Sequence, residues 1–184
     1  MSGEFFVTSD TFFSRPSIID IAKRPFSSVE EMDAIMIENW NKVVKPTDVV
    51  FHLGNLVWNP VAGEDILKSL NGKIYLIQGD YDDATINIAK HFINKLYILP
   101  DSIHKENTFN CVLSHWPLAE WAGKDKGVFH IHGHTLNKMK TDLNKMNRIN
   151  ICADNWNFAP QPIEETLSML KNFEKKSENT LGSE

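Results

Sequence analysis

Apolar and polar positions change rhythm along this chain. Over residues 28–44, Val29, Met32, Ile35, Met36, Trp40 and Val43 recur at helical spacing and predict an amphipathic helix. Ser28 and Glu31 form a capping-box pattern at its start, and Pro46 stops it. Short apolar runs surround this helix. EFFVTSD (4–10), DVVFHLGN (48–55) and KIYLIQGD (73–80) read as strands ending on Asp10, Asn55 and Asp80. Between the first run and the helix lie a loop with Arg15-Pro16 and the apolar stretch IIDIAKR (18–24). A helix is expected near 62–70, ending at Asn71-Gly72, and another near 83–93 with Asp82 or Asp83 as N-cap.

Beyond residue 95 the rhythm shortens. KLYILPDS (95–102), FNCVLSH (109–115), GVFHIHGH (127–134) and NRINICADNW (147–156) read as strands joined by turns. In HIHGH the alternate positions put His130, His132 and His134 on one strand face. Residues 136–147 form a polar loop in which Lys138, Lys140 and Lys145 are expected to be solvated. A last helix is expected over 162–175, with Pro162 and Glu164-Glu165 in its first turn. Strand–helix alternation followed by a strand-rich half predicts an α/β fold with two packed sheets and helices outside. The expected organisation is one domain over 1–175 and a polar, disordered tail over 176–184.

Composition narrows the function classes only modestly. Nineteen basic and twenty-four acidic side chains leave a net charge of -5, so no strong nucleic-acid signal is present. No run approaches the ~20 apolar residues of a membrane helix, and no secretory leader pattern is visible, so a cytoplasmic protein is expected. Cys111 and Cys152 sit in apolar segments and are expected to be free buried thiols.

The chemistry concentrates at strand ends. Asp10, Asn55, Asp80, His115 and His134 each follow an apolar run, most of them beside a Gly or Ser. In α/β folds ligands sit beyond the carboxyl ends of strands, and these five side chains all suit a metal ion or a phosphate.

Five segments, SDTF (9–12), GN (54–55), GDYD (79–82), SHWP (114–117) and GHTL (133–136), resemble the ordered motifs of the calcineurin-like metallophosphoesterases. RPFSSVEEMD, IENWNKVV, VFHLGN and DNWNFAPQPIEE resemble a bacterial and phage branch of that family, so the likeness spans roughly residues 4–170. It implies a four-layer α-β-β-α sandwich of two mixed sheets flanked by helices. It also implies two metal ions held by seven side chains. Here only Asp10, His115 and His134 match that ligand set. Phe12 and Leu136 stand where His ligands belong, Asn55 replaces the bridging carboxylate, and Asp80 replaces an Asn.

The substitutions are uneven in their effect. Asp10, Phe12 and Leu136 mark a vestigial first-metal position, because hydrocarbon offers no electron pair. Asp80, His115 and His134 with Asn55 leave two nitrogen and two oxygen donors for one divalent ion, Zn, Mn or Fe. A second ion is not expected. Tyr81 occupies the place of a catalytic-type His, and a phenol with a reference pKa of about 10 is a poor proton donor and acceptor at neutral pH.

The expectation is therefore a metallophosphoesterase-fold protein with an impaired site, binding a phosphate-bearing small molecule or a protein partner with little or no hydrolysis. One alternative is a mononuclear metal-dependent phosphoesterase using the remaining ligands. The other is a surface scaffold, since Trp58, Trp116, Trp121 and Trp156 lie near loops.

Overall fold

Alternation in the first half of the chain produces a five-stranded sheet of order β4-β3-β2-β1-β9. Its strands are β1 (Phe5–Thr8), β2 (Val49–His52), β3 (Lys73–Ile77), β4 (Leu96–Leu99) and β9 (Gln161–Pro162). β1 to β4 pair in parallel, and β9 runs antiparallel on the edge of β1. A second sheet of order β5-β6-β7-β8 is built from β5 (His104–Glu106), β6 (Cys111–Ser114), β7 (Phe129–His132) and β8 (Arg148–Asn150). The last three of these are parallel, and β5 is antiparallel to β6. The computed structural model describes residues 3–92, 95–99, 104–106, 109–137 and 147–181. Lys138, Lys140 and Lys145 lie outside them.

Strand periodicity sends alternate residues to opposite faces. Phe6, Val50, Ile74, Leu76 and Leu96 face the helices α1 (Ser17–Ala22), α2 (Val29–Val43) and α3 (Pro60–Ser69), packing with Ile18, Met32, Met36, Trp40, Ile66 and Leu67. Val7, Phe51, Leu53 and Ile77 face the other way, into a cluster with Cys111, Leu113, Phe129 and Ile131 of the second sheet. The two sheets therefore pack against each other, with helices on the far face of the first. The far face of the second sheet carries the 115–128 segment, where Trp121 and Val128 pack on Val112. Both cysteines are buried thiols that form no disulfide, as expected.

Several boundaries differ from the sequence pattern for identifiable reasons. Ser28 caps α2 by accepting from the Glu31 N–H, but the Glu31 carboxylate reaches back to Ser27 rather than closing the box on Ser28. Asn59 caps α3 through the Val61 N–H, which starts that helix at Pro60. Helix α4 (Asp83–Ala89) gives way to a 3-10 turn at Lys90–Phe92. Pro162 lies in β9, opposite Phe6 on the sheet edge, where its missing N–H is tolerated. The last helix, α5 (Ile163–Leu181), continues past 175 into the segment expected to be a disordered tail. Among the described residues, no helix is long and apolar enough to cross a membrane.

Candidate metal centre

Because the central strands of both sheets are parallel, their carboxyl ends meet at one place. Ser9 and Cys152 join the two sheets there by an isolated bridge, and the Ala153 N–H donates to the Ser9 carbonyl at 2.9 Å. Five loops converge above this seam, carrying Asp10, Asn55, Asp80, His115 and His134. The backbone at Asp10, Phe12, Asn55, His134 and Leu136 is left-handed, with φ of 55°, 51°, 61°, 69° and 51°. Such values are uncommon for residues other than Gly, and for Phe and Leu they store strain of about 1–3 kcal/mol each. Five of the eleven non-glycine residues with positive φ among the described residues lie in these loops, where the fold holds their side-chain directions.

Glycines in these motifs serve loop-to-loop approach. A Cβ at Gly54 would stand 2.5 Å from His115 Nδ1 and 2.7 Å from the Gly79 Cα, and one at Gly79 would stand 2.9 Å from His115 Cε1. The His115 ring thus lies directly on two bare backbones. Gly133 similarly makes room for Ser9 and Asp10.

Asp80, His115 and His134 come together as a three-donor cluster. Asp80 Oδ2 is 3.4 Å from His115 Nε2 and 3.1 Å from His134 Nδ1, and the two ring nitrogens are 3.3 Å apart. A tetrahedral zinc with bonds of about 2.0–2.1 Å has ligand–ligand edges of about 3.3–3.4 Å, so these spacings suit one ion. The tautomer also suits it. His115 Nδ1 donates to the Leu53 carbonyl at 2.6 Å, which leaves the Nε2 lone pair facing Asp80 and His134. Trp116 packs on the His134 ring at 4.0 Å between centroids and fixes its direction.

Asn55 has a different task from the ligand role expected of it. Its Oδ1 accepts from the Tyr81 N–H at 2.9 Å, and its Nδ2 donates to Asp10 Oδ1 at 2.8 Å. The amide therefore turns N–H groups, not its oxygen, toward His115 Nε2 at 3.4 Å. Exchanging the amide ends would set an oxygen against the Asp10 carboxylate and an NH₂ against the Tyr81 N–H.

Asp10 is fully buried and saturated. Its carboxylate accepts from Ser9 Oγ at 2.6 Å, the His134 N–H at 2.7 Å, Cys152 Sγ at 3.0 Å and Asn55 Nδ2. Burial first, and then the Asp10 charge, push the Cys152 thiol well above its ordinary value, so it remains a donor. Phe12 and Leu136 are buried in the helix-side core. No donor set for a second ion forms around Asp10 among the described residues.

The histidine trio divides. His130 and His132 point to the far face of the second sheet, opposite Phe129 and Ile131, while His134 lies beyond the strand end and turns into the site. His130 packs on Trp121 and accepts from the Leu118 N–H at 3.1 Å, a structural role. The tryptophans divide as well. Trp121 and Trp156 donate to the carbonyls of Val128 and Asn150, whereas Trp58 and Trp116 stay 42% and 43% exposed beside the site.

Two further residues build the site in roles that their sequence pattern did not indicate. Asp82 is buried, and instead of capping α4 through a helix N–H it ties two loops together. Its carboxylate accepts from the N–H groups of Asn55 and Gly79 at 2.7 Å each and of Leu56 at 2.8 Å. Arg24, also buried, forms a two-pronged pair with Asp154 at 2.9 and 3.0 Å and donates to the carbonyls of Thr11 and Asp10 at 2.7 Å each. A lone Asp in a turn or an Arg before Pro carries no signal for such long-range bonds.

No family model matches the chain. It is 28% identical over 174 residues to a protein of Methanocaldococcus jannaschii named "Uncharacterized protein MJ1445", covering 91% of this chain and 92% of that one. It also resembles the crystal structure of the protein of unknown function AQ665 from Aquifex aeolicus, with a TM-score of 0.68 at 20% identity. That likeness covers 91% of this chain and 99% of the other, and it shows a shared fold.

An open cavity of about 520 Å³ lies over the cluster, lined by Phe12, Arg15, Ile18, Asp80, Tyr81 and His134 among others. A ligand entering it meets Asp80 and His134 directly.

Proposed function

We propose that this protein is a metallophosphoesterase-like protein that has kept one of two metal positions and binds a phosphate-bearing ligand with little or no hydrolysis. In this reading its sheets and helices form the four-layer sandwich of that family, the outermost layer reduced to the 115–128 loop. Asp80 Oδ2, His115 Nε2 and His134 Nδ1 hold the ion. The observation that carries the reading is the triangle of 3.1–3.4 Å among these three donors, with the His115 tautomer set by the Leu53 carbonyl.

When bound, a divalent ion at three protein donors supplies a Lewis-acidic position open to a phosphoryl oxygen. The chain's own residues argue against efficient turnover. Asp10, the carboxylate a second ion would need, is engaged by four donors. Phe12 and Leu136 contribute hydrocarbon. Tyr81 replaces an imidazole with a phenol and lies 47% exposed at the cavity rim. A mononuclear phosphoesterase is the second reading, favoured by the open cavity above a three-donor cluster.

Metal analysis and zinc titration test both. One ion per chain is expected, lost in His134→Ala. Two ions per chain, or none in the intact protein, would overturn the proposal. Hydrolysis of a generic aryl phosphodiester that vanishes with the His134→Ala ion would establish the second reading in place of the first.

A further inference from the structure

Arg15 is held in an unusual way. Its guanidinium carbon lies 4.6 Å from the Phe12 ring centre, 4.3 Å from Trp58 and 4.9 Å from Tyr81. The rings also contact one another, Phe12 with Tyr81 at 5.9 Å and Trp58 with Tyr81 at 5.6 Å. The three aromatics come from three different loops, so the cage exists only in the folded chain. Nε donates to Ser17 Oγ at 3.2 Å. Among the described residues no carboxylate pairs with Arg15, and its Nη groups make no hydrogen bond.

A surface arginine normally finds a carboxylate or lies extended in water. This one is fixed against ring faces, which attract the cation without occupying its in-plane N–H donors. Arg15 lines the same cavity as Asp80 and His134. The strained backbone of Phe12, at φ 51°, places one of the three rings. The rest of the lining is largely hydrocarbon, Phe12, Ile18, Ile21 and Leu136, with Asn55 and Thr135 beside the cluster. Ile21, Tyr81 and Trp58 are 48%, 47% and 42% exposed, so large apolar groups border this opening without cover. The cavity thus offers a preorganised cation on one side and an apolar surface on the other.

We propose that Arg15 is the anion-recognition residue of this cavity, and that its ligand is a phosphate or phosphonate carried on a hydrocarbon-rich or aryl group rather than on a polar sugar. This rests on the metal-centre reading for the anchoring of the phosphoryl group, and adds the residue and ligand class that the cluster alone does not specify. An arginine fork binds two oxygens of one phosphoryl group in its plane. The organic group then lies over the exposed side chain of Ile21, displacing water from apolar surface.

The test is calorimetric titration of zinc-supplemented protein with phenylphosphonate, methylphosphonate and inorganic phosphate. Phenylphosphonate is expected to bind most tightly. Arg15→Gln is expected to weaken all three by about 10- to 100-fold, the range for losing a charged hydrogen-bonding partner. Arg15→Lys is expected to rescue only part of this loss, because an ammonium lacks the planar fork. Ile21→Ser is expected to reduce the preference for the phenyl compound and leave inorganic phosphate unchanged. Each variant is also titrated with zinc alone. Unchanged zinc affinity in Arg15→Gln together with lost phosphonate affinity supports the proposal. Wild-type phosphonate binding by Arg15→Gln, or equal affinity for phenylphosphonate and inorganic phosphate, overturns it. If zinc fails to bind the intact protein, the metal-centre reading falls. Arg15-dependent binding of phenylphosphonate would still support this inference, and its absence would refute it.

Discussion

Asp82 offers a sharp test of how the site is assembled, because two structural roles predict different costs. If Asp82 only capped α4, Asp82→Asn would be nearly neutral, since Asn caps helices as well as Asp does. The carboxylate instead accepts the backbone N–H groups of Asn55 and Leu56 from another loop and of Gly79 from its own, and the Thr85 hydroxyl at 3.2 Å. Asp82→Ala orphans three N–H groups, two of them on buried residues near the metal ligands. At about 1–3 kcal/mol for each, the expected loss is about 3–9 kcal/mol. That is a large share of the ~5–15 kcal/mol that holds a typical domain folded. Asp82→Asn keeps an oxygen on the Asn55 and Gly79 side and turns an NH₂ toward the Leu56 N–H. The Thr85 hydroxyl can rotate to accept, so one orphan remains and the expected loss is about 2 kcal/mol. Urea unfolding gives both values, and amide exchange at Asn55, Leu56 and Gly79 shows where protection is lost. Zinc affinity should fall with them, because Asn55 and Asp80 flank the released bonds. An Asn variant within about 0.5 kcal/mol of the parent, with unchanged exchange at these amides, would refute the clamp.

Other consequences can be measured in the same samples. Asp80→Asn should weaken zinc binding by at least about 100-fold while leaving the fold intact, as judged by calorimetry against unfolding, because Asp80 is a partly exposed donor with no core role. Arg24→Ala should cost about 3–5 kcal/mol in urea unfolding, since it leaves the Asp154 carboxylate buried without its partner and frees the carbonyls of Asp10 and Thr11. Burial lowers His52 to about 3 and His130 and His132 to about 4, so all three stay neutral in the folded chain. The stability they carry is present above the unfolded value near 6.5 and is lost as pH falls, at about 1.4 kcal/mol per pH unit for each. Asp33, raised to about 6 chiefly by burial, has the opposite sign: its contribution is present at low pH and is lost as pH rises through 6. Unfolding midpoints followed from pH 7 to pH 4 should therefore fall, less steeply than three histidines alone require, and His130→Gln should flatten the slope.

The two-sheet plan was legible because strand and helix periods are local properties. Val50, Phe51 and His52 alternate whatever surrounds them, and the parallel order follows from helices placed between strands. The convergence of Asp80, His115 and His134 was legible for the same reason, since each follows a strand and parallel strands end together. What hydrogen bonds these side chains make was not legible. Asn55 reads as a ligand in sequence, but the competition between Asp10, His115 and the Tyr81 N–H turns its oxygen away. Asp82 reads as a helix cap, yet two N–H groups from a distant loop and one from its own loop claim its carboxylate. HIHGH reads as one face, but a left-handed turn at His134 sends that ring into the site while His130 and His132 face outward. Arg15 carries no local signal, because its cage is made of rings from residues 12, 58 and 81. Sequence determined which elements form and which chemistry reaches their ends. Only tertiary packing decided partners, because a donor or acceptor chooses among groups that the folded chain alone brings within reach.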